Sequence, residues 1–258
     1  MPDCVHLASD LHLGAPGALP SVERERAFVR WMRDAASGSG FAEGRQATEL
    51  HLVGDLFDFW FEYKRAVPKG GVRLMGAIAE LTDAGLPIHF HVGNHDMWTF
   101  GYLEEELGVH VHREPIVRTW DGLTCLVGHG DGLGPGDAGY RRLKRVFTSP
   151  VCQALFRRLH PDLGMALAHA WSAKSRSKGE APMTRLDQEH LHTFAKGWLD
   201  NPNQPKVDAF IFGHRHLPLN VTVEGHSATY LNTGDWLTHF TSAVVTGGQA
   251  SLVEHRPR

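Results

Sequence analysis

Five short polar clusters punctuate the chain. Asp10 and His12 lie in ASDLHLG, Asp55 and Asp58 in VGDLFDFW, and Asn94, His95 and Asp96 in HVGNHDMWTF; His129 and Asp131 lie in LVGHGDG, and His214 and His216 in IFGHRHLP. Carboxylate, amide and imidazole groups together make a mixed oxygen and nitrogen donor set. Such a set suits Mn²⁺, Fe²⁺ or Zn²⁺ and is poor for a thiophilic ion. In extended backbone, residues two apart face the same side, so Asp10 with His12, and His214 with His216, can each aim two ligands at one place. The Asp55 carboxylate has two oxygens and can bridge two cations. Cations about 3.5–4 Å apart can clamp a phosphoryl group and lower the pKa of a bridging water. A single GHxH is more often a satisfied loop than a ligand pair. Five clusters in series, each after an apolar run, read as one site.

The elements that must position these groups alternate. Strands are expected at Val5–Ser9, Glu49–Val53 and Ile88–Val92, separated by helices over Glu25–Ala36 and Val72–Ala84. A short helix is expected over Phe100–Leu107. Val117–Thr119 and Leu123–Val127 flank the turn Trp120-Asp121-Gly122 and predict a hairpin. Leu133–Lys178 reads as helical, with two helices meeting at Ser149-Pro150. Strands resume at Ala209–Phe212, Leu219–Val223, Thr229–Leu231, Ala243–Val245 and Ser251–Val253. In four of the five clusters a glycine (Gly54, Gly93, Gly128 or Gly213) precedes the first polar residue, which permits a sharp turn or close backbone approach. Binding sites of α/β folds gather outside the carboxyl ends of strands. The pattern therefore predicts mixed sheets packed face to face with helices outside, as one domain over 1–258 with a helical insertion or lid over 133–200.

Bulk properties narrow the field. The 258 residues are 42% hydrophobic and 21% charged, as in an ordinary globular protein. A net charge of -3 argues against a general nucleic-acid coat. Cys4, Cys125 and Cys152 are far apart, without CxxC spacing, which disfavours both a thiolate zinc cluster and a disulfide framework. No basic-then-apolar signal start and no membrane-spanning run is visible, so a cytoplasmic location is expected, with peripheral membrane contact left open. No protein partner is singled out.

The motifs DLH, GDxxD, GNHD, GHGD and GHRH, in this order and across nearly the whole chain, resemble those of the calcineurin-like metallophosphoesterases. The resemblance implies a four-layer α/β/β/α sandwich of two mixed sheets. It also implies one cation held by Asp10, His12, Asp55 and His216, and a second by Asp55, Asn94, His129 and His214. His95 would be a proton donor to the leaving group or a transition-state contact, oriented by Asp96. GDLFDFWFEY and HGDGLGPGDAGYRRLKRVF further resemble the branch that cleaves UDP-2,3-diacylglucosamine in lipid A synthesis. That branch implies a lipid-linked nucleotide substrate, Mn²⁺ with Zn²⁺ or Fe²⁺ as alternatives, and nucleotide contacts at Asp137 and Tyr140. Its best-known members carry Arg where this chain has His95. The same site could instead serve a phosphodiester, a dinucleoside polyphosphate or a phosphomonoester. A non-catalytic scaffold would be expected to lack ligands that this chain keeps.

The segment Leu133–Lys178 carries nine Lys/Arg against two acids, a local charge of +7. Arg141, Arg142, Lys144 and Arg145 suit phosphate or anionic headgroups. The alternative is a solvated basic face with the stripe Leu143, Val146, Phe147, Val151, Leu155, Phe156, Leu159 turned to the core. Trp60, Trp98 and Trp171 are expected as buried packing, with the lining of an acyl or uridine site as the alternative. Asp58 is expected behind a metal-bound His, or as a helix cap. His89 with His91, and His110 with His112, alternate on strands and are expected as structural or surface residues rather than as extra ligands.

Overall fold

The computed structural model describes residues 2–39, 44–135, 138–177, 186 and 189–255. Strands β1 (Cys4–Ala8), β2 (Glu49–Leu52), β3 (Ile88–His91) and β4 (His110–His112) run parallel; β10 (Thr241–Thr246) and β11 (Gln249–Glu254) complete their sheet antiparallel, in the order β11-β10-β1-β2-β3-β4. The second sheet is β5-β6-β7-β9-β8: β5 (Ile116–Trp120), β6 (Leu123–Gly128), β7 (Ala209–Phe212), β9 (Thr229–Asn232) and β8 (Leu219–Thr222). The expected hairpin forms between β5 and β6, where Asp121 and Gly122 both take positive φ (46° and 84°) and close a two-residue turn.

Alternation along the strands makes three apolar layers. On β1, Val5 and Leu7 face the gap between the sheets, where they meet Val127, Ile211, Leu231 and Val245. Leu50, Leu52, Ile88 and Phe90 face outward onto α1 (Ser21–Ser37), α2 (Val72–Asp83) and α3 (Tyr102–Leu107). Phe210, Phe212 and Tyr230 of the second sheet are covered by Leu191 and Ala195 of α7 (His190–Asp200). The four layers α/β/β/α follow from period-2 strands meeting period-3.6 helices.

Helix α1 starts at Ser21, four residues before the expected boundary. Near its start Arg24 and Glu25 break the apolar pattern yet are buried. Arg24 donates to the carbonyls of His12, Ala15 and Leu19 at 2.8–2.9 Å, and Glu25 accepts the N–H groups of Arg73 and Leu74 at the start of α2. These charges do the work of a loop clamp and a helix cap.

Between β6 and α7 lie α4 (Ala138–Phe147), α5 (Pro150–Phe156) and α6 (Pro161–Ser177). Their apolar side chains enter none of the three layers. Val151 is 68% exposed and Trp171 58%, so the core-facing alternative fails for this stripe, and Trp171 is not buried packing. Trp60 is buried among Phe57 and Tyr102, as expected. Helix α7 falls within the span 133–200 expected as an insertion. It nevertheless packs into the core, because Leu191 and Ala195 are on one face and meet the second sheet. Among the described residues no helix is long and apolar enough to cross a membrane.

Candidate metal centre

The carboxyl ends of β1, β2, β3, β6 and β7 converge, and the loops that follow them extend the strand pairing. Asp10 and His12 donate backbone N–H to the carbonyls of Gly54 and Asp55, both at 3.0 Å, and Gly213 donates to His129 at 3.0 Å. Asp10, His12, Asp55, His214 and His216 all have positive φ, between 43° and 68°. Left-handed backbone at a non-glycine residue costs about 1–3 kcal/mol. Five such residues in one place mark a geometry held for function. The glycines act by leaving room: a Cβ at Gly93 would collide with the Asp55 carboxylate, and one at Gly213 with Ser9 and Asp10.

The donor atoms of the expected ligands form two groups, and His95 makes a further cluster with His12 and Asp55. Asp10, His12 and His216 make the first; His12 Nε2 lies 3.2 Å from His216 Nε2, which is 3.2 Å from Asp10 Oδ1. Asp55, His129 and His214 make the second, with Asn94 Oδ1 3.3 Å from His129 Nε2. Asp55 Oδ2 stands between them, 3.2 Å from His129 Nε2 and 3.7 Å from His12 Nε2. All seven expected ligands therefore meet at one place.

These groups fit cations. His129 Nδ1 lies 2.8 Å from the Val53 carbonyl, which only accepts, so Nδ1 carries the proton. Its Nε2 then faces two oxygens, Asp55 Oδ2 and Asn94 Oδ1, and needs positive charge there. Burial lowers the His129 pKa, but the Asp55 carboxylate outweighs it and raises the imidazole to about 10. Burial alone would raise Asp55, yet the imidazoles of His129 and His95 hold it well below the usual carboxylate range. Asp10 Oδ1 is buried without a hydrogen bond, while Oδ2 accepts from Ser9 Oγ and the His214 N–H. His214 is lowered to about 4, chiefly by burial and by His129, so its imidazole is neutral and ligand-competent.

Supporting residues are of two kinds. His95 Nδ1 lies 2.7 Å from the Asp58 carbonyl, which fixes the proton on Nδ1 and leaves Nε2 to exchange one. The Asp58 carboxylate accepts from Ser172 Oγ at 2.7 Å and lies 4.0 Å from His12 Nδ1; it stands behind the ligands and ties α6 to them. Asp96, expected to orient His95, instead accepts the N–H groups of Gly93 and Leu56 at 2.7 and 2.9 Å. The positions of those two N–H groups, at the start of the Asn94 loop and just past Asp55, make Asp96 a brace between two ligand loops. Burial and the Asp55 charge push Asp96 up to about 7.

Asp235 was missed. It lies in NTGDW, which follows β9 in the same strand-glycine-aspartate pattern, and that pattern was the available signal. Its Oδ2 is 3.5 Å from His216 Nδ1, and its Oδ1 accepts the Thr238 and His239 N–H groups at 2.6 and 2.9 Å. Carboxylates behind a metal-bound His set its orientation and basicity. Asp235→Asn is expected to weaken binding of one cation about 10–100-fold, read by metal titration of the folded protein; unchanged affinity for both cations would remove Asp235 from the site.

Tyr140 OH and Lys144 Nζ both donate to Asp131 Oδ2, at 2.6 and 2.7 Å, and Arg141 donates to the Gly134 carbonyl at 3.0 Å. Asp131 thereby joins the GHGD loop to α4. Asp137 lies outside the described residues. A cavity of 410 Å³ sits between the donor set and α4–α6, lined by His95, Asn94, His214, Trp98, Phe147 and Trp171 among others. A neighbouring cavity of 500 Å³ is lined by His129, Arg113, Arg141, Lys144 and Arg145.

The family model of the calcineurin-like phosphoesterases matches residues 5–218. The chain is 33% identical to a UDP-2,3-diacylglucosamine hydrolase of Porphyromonas gingivalis, over 94% of each chain. It is 28% identical to a protein of the same name from Xanthomonas axonopodis, covering 95% of this chain and 96% of that one. For the Aeromonas hydrophila protein of that name the identity is 26%, over 96% of each. With the motifs in order, the four layers in place and the match spanning most of its length, the chain belongs to the calcineurin-like phosphoesterases.

Proposed function

We propose that this chain hydrolyses the diphosphate of UDP-2,3-diacylglucosamine, consuming water and releasing UMP and 2,3-diacylglucosamine 1-phosphate. The observation that carries the reading is the mostly apolar cavity directly over the donor set. A small phosphomonoester has no use for a wall of Phe59, Trp98, Phe147, Phe156 and Trp171. An acylated sugar does. Relatives that match over nearly the whole chain bear the name of this activity.

Asp10, His12, Asp55 and His216 would hold one divalent cation, and Asp55, Asn94, His129 and His214 the other, with Mn²⁺ favoured over Zn²⁺ and Fe²⁺. Bound there, such ions supply Lewis acidity and an ionised water near neutral pH. The chain's own contribution is placement. Arg113, Arg141 and Lys144 line the side that takes the anionic nucleotide end, and the α4–α6 wall takes the acyl end. His95, proton on Nδ1 and Nε2 free to exchange, delivers a proton to the departing phosphate oxygen. Incubating the Mn²⁺-loaded protein with UDP-2,3-diacylglucosamine should release UMP, and a chelator should stop release until Mn²⁺ is restored. No UMP under these conditions, with hydrolysis of another phosphodiester intact, would move the assignment to the alternative substrates.

Leu167 and Trp171 line the cavity and are 54% and 58% exposed, so its apolar wall runs out to the surface, and Val151 and Leu155 of α5 are exposed as well. We place this face against the cytoplasmic side of the inner membrane, where the lipid enters. Val151→Asp with Leu155→Asp is expected to cut co-sedimentation with anionic phospholipid vesicles several-fold while UMP release from detergent-dispersed substrate persists. Equal sedimentation of variant and parent would place membrane contact elsewhere.

A further inference from the structure

The gap between the two sheets is apolar over β10 and β1 but not over the strands beyond. There the inward positions are Glu49 and His51 on β2, His89 and His91 on β3, and His110 and His112 on β4, all in register. A sheet interior normally holds aliphatic side chains, so a row of imidazoles needs a reason.

We propose that Glu49, His51 and His89 form a third metal site, separate from the catalytic pair, that takes a borderline divalent cation of the Zn²⁺ class. Their ligand atoms lie within 4.8 Å of one another, with Glu49 Oε2 3.0 Å from His89 Nε2 and 3.4 Å from His51 Nε2. Tetrahedral ligands at about 2.0–2.1 Å from Zn²⁺ lie about 3.3 Å apart. The second observation is that His51 Nε2 is fully buried, directed at the Glu49 carboxylate, and makes no hydrogen bond.

The outer nitrogens complete the argument. His51 Nδ1 lies 2.9 Å from His91 Nε2, and His89 Nδ1 lies 2.8 Å from His112 Nε2. With the protons on Nδ1, each pair is a normal hydrogen bond and both Nε2 lone pairs face one carboxylate oxygen, an arrangement that repels unless a cation lies between. Metal-bound histidines characteristically donate their other ring N–H in this way. Burial keeps His51 neutral, lowered to about 4, despite the Glu49 carboxylate beside it. Trp120, from the other sheet, donates to the remaining Glu49 oxygen. A cation here would therefore join β2 and β3 and, through Trp120, the second sheet. Glu49 is partly exposed, which gives an entry path. Among the described residues the group Glu49, His51 and His89 shares no residue with the donor groups of the catalytic pair, so the two sites are distinct.

The competing arrangement has both Nε2 atoms protonated and donating to Glu49, a metal-free network. Zinc titration separates the two. In an Asp55→Asn background, where the catalytic pair is disrupted, about one tightly bound Zn²⁺ should be lost on adding His51→Gln and His89→Gln. Equal zinc content with and without the two Gln substitutions overturns the site. Should the combined variant not fold, crystals of the parent protein grown with three equivalents of Zn²⁺ decide it. An anomalous zinc peak between the Nε2 atoms of His51 and His89 is expected, and its absence while the catalytic peaks are present overturns the proposal.

Discussion

Asp55→Asn should keep its fold and lose turnover by on the order of 10³-fold, the equivalent of about 4 kcal/mol in transition-state stabilisation. The expectation rests on the one carboxylate oxygen that lies between both donor groups. Asparagine is the informative substitution because it separates geometry from charge. The backbone at Asp55 has φ 53°, which Asn tolerates better than most residues. An amide oxygen can still accept the His95 N–H that Asp55 Oδ1 receives at 2.8 Å. What is removed is the negative charge that holds His129 protonated, or a cation in its place. The readouts are UMP release, metal content and circular dichroism. Loss of activity with lost metal and an unchanged spectrum is the expected triple; full activity would show that the bridging oxygen is not used.

The ligand loops were legible because each follows a strand whose own pattern is plain. Once β1, β2, β3, β6 and β7 are recognised, parallel pairing brings their carboxyl ends together, and the polar residues there have nowhere else to point. Asp235 was overlooked although its loop obeys the same rule, because a lone GD after a weak strand has no partner in sequence to raise it above a turn. The stripe on α4 and α5 could not be resolved at all. Amphipathic spacing states that one face is apolar, not whether a core, a cavity or a lipid receives it. The structure divides it: Leu143, Phe147 and Phe156 line the cavity over the donor set, while Val146, Val151 and Leu155 are exposed. Asp96 illustrates a different limit: adjacency in a motif suggested contact with His95, whereas the loop turns its carboxylate back onto Gly93 and Leu56. The inward histidines of β2–β4 were visible as an alternation, but stacking, shared nitrogens and the Glu49 contact exist only once three strands are in register.

His95→Ala should lower kcat by about 10²–10⁴-fold, the range of a lost general acid, with both cations still bound. His95 is close to the donor set, its ring 4.7 Å from that of His12, but its Nδ1 is engaged by the Asp58 carbonyl rather than by a ligand group. Removing it takes away a proton and not a cation, so metal content distinguishes this variant from Asp55→Asn. A second readout distinguishes proton donation from simple contact. The deficit should shrink against an aryl phosphodiester whose phenolate leaves without a proton, since the variant then lacks nothing the reaction needs. His95→Arg sharpens the choice. Arginine can donate hydrogen bonds to a transition state but holds its protons too tightly to give one up. With proton delivery as the role, the Arg variant should be as impaired as the Ala variant on the lipid substrate. Full activity of the Arg variant would instead make position 95 a transition-state contact. It would then leave the leaving-group proton to solvent.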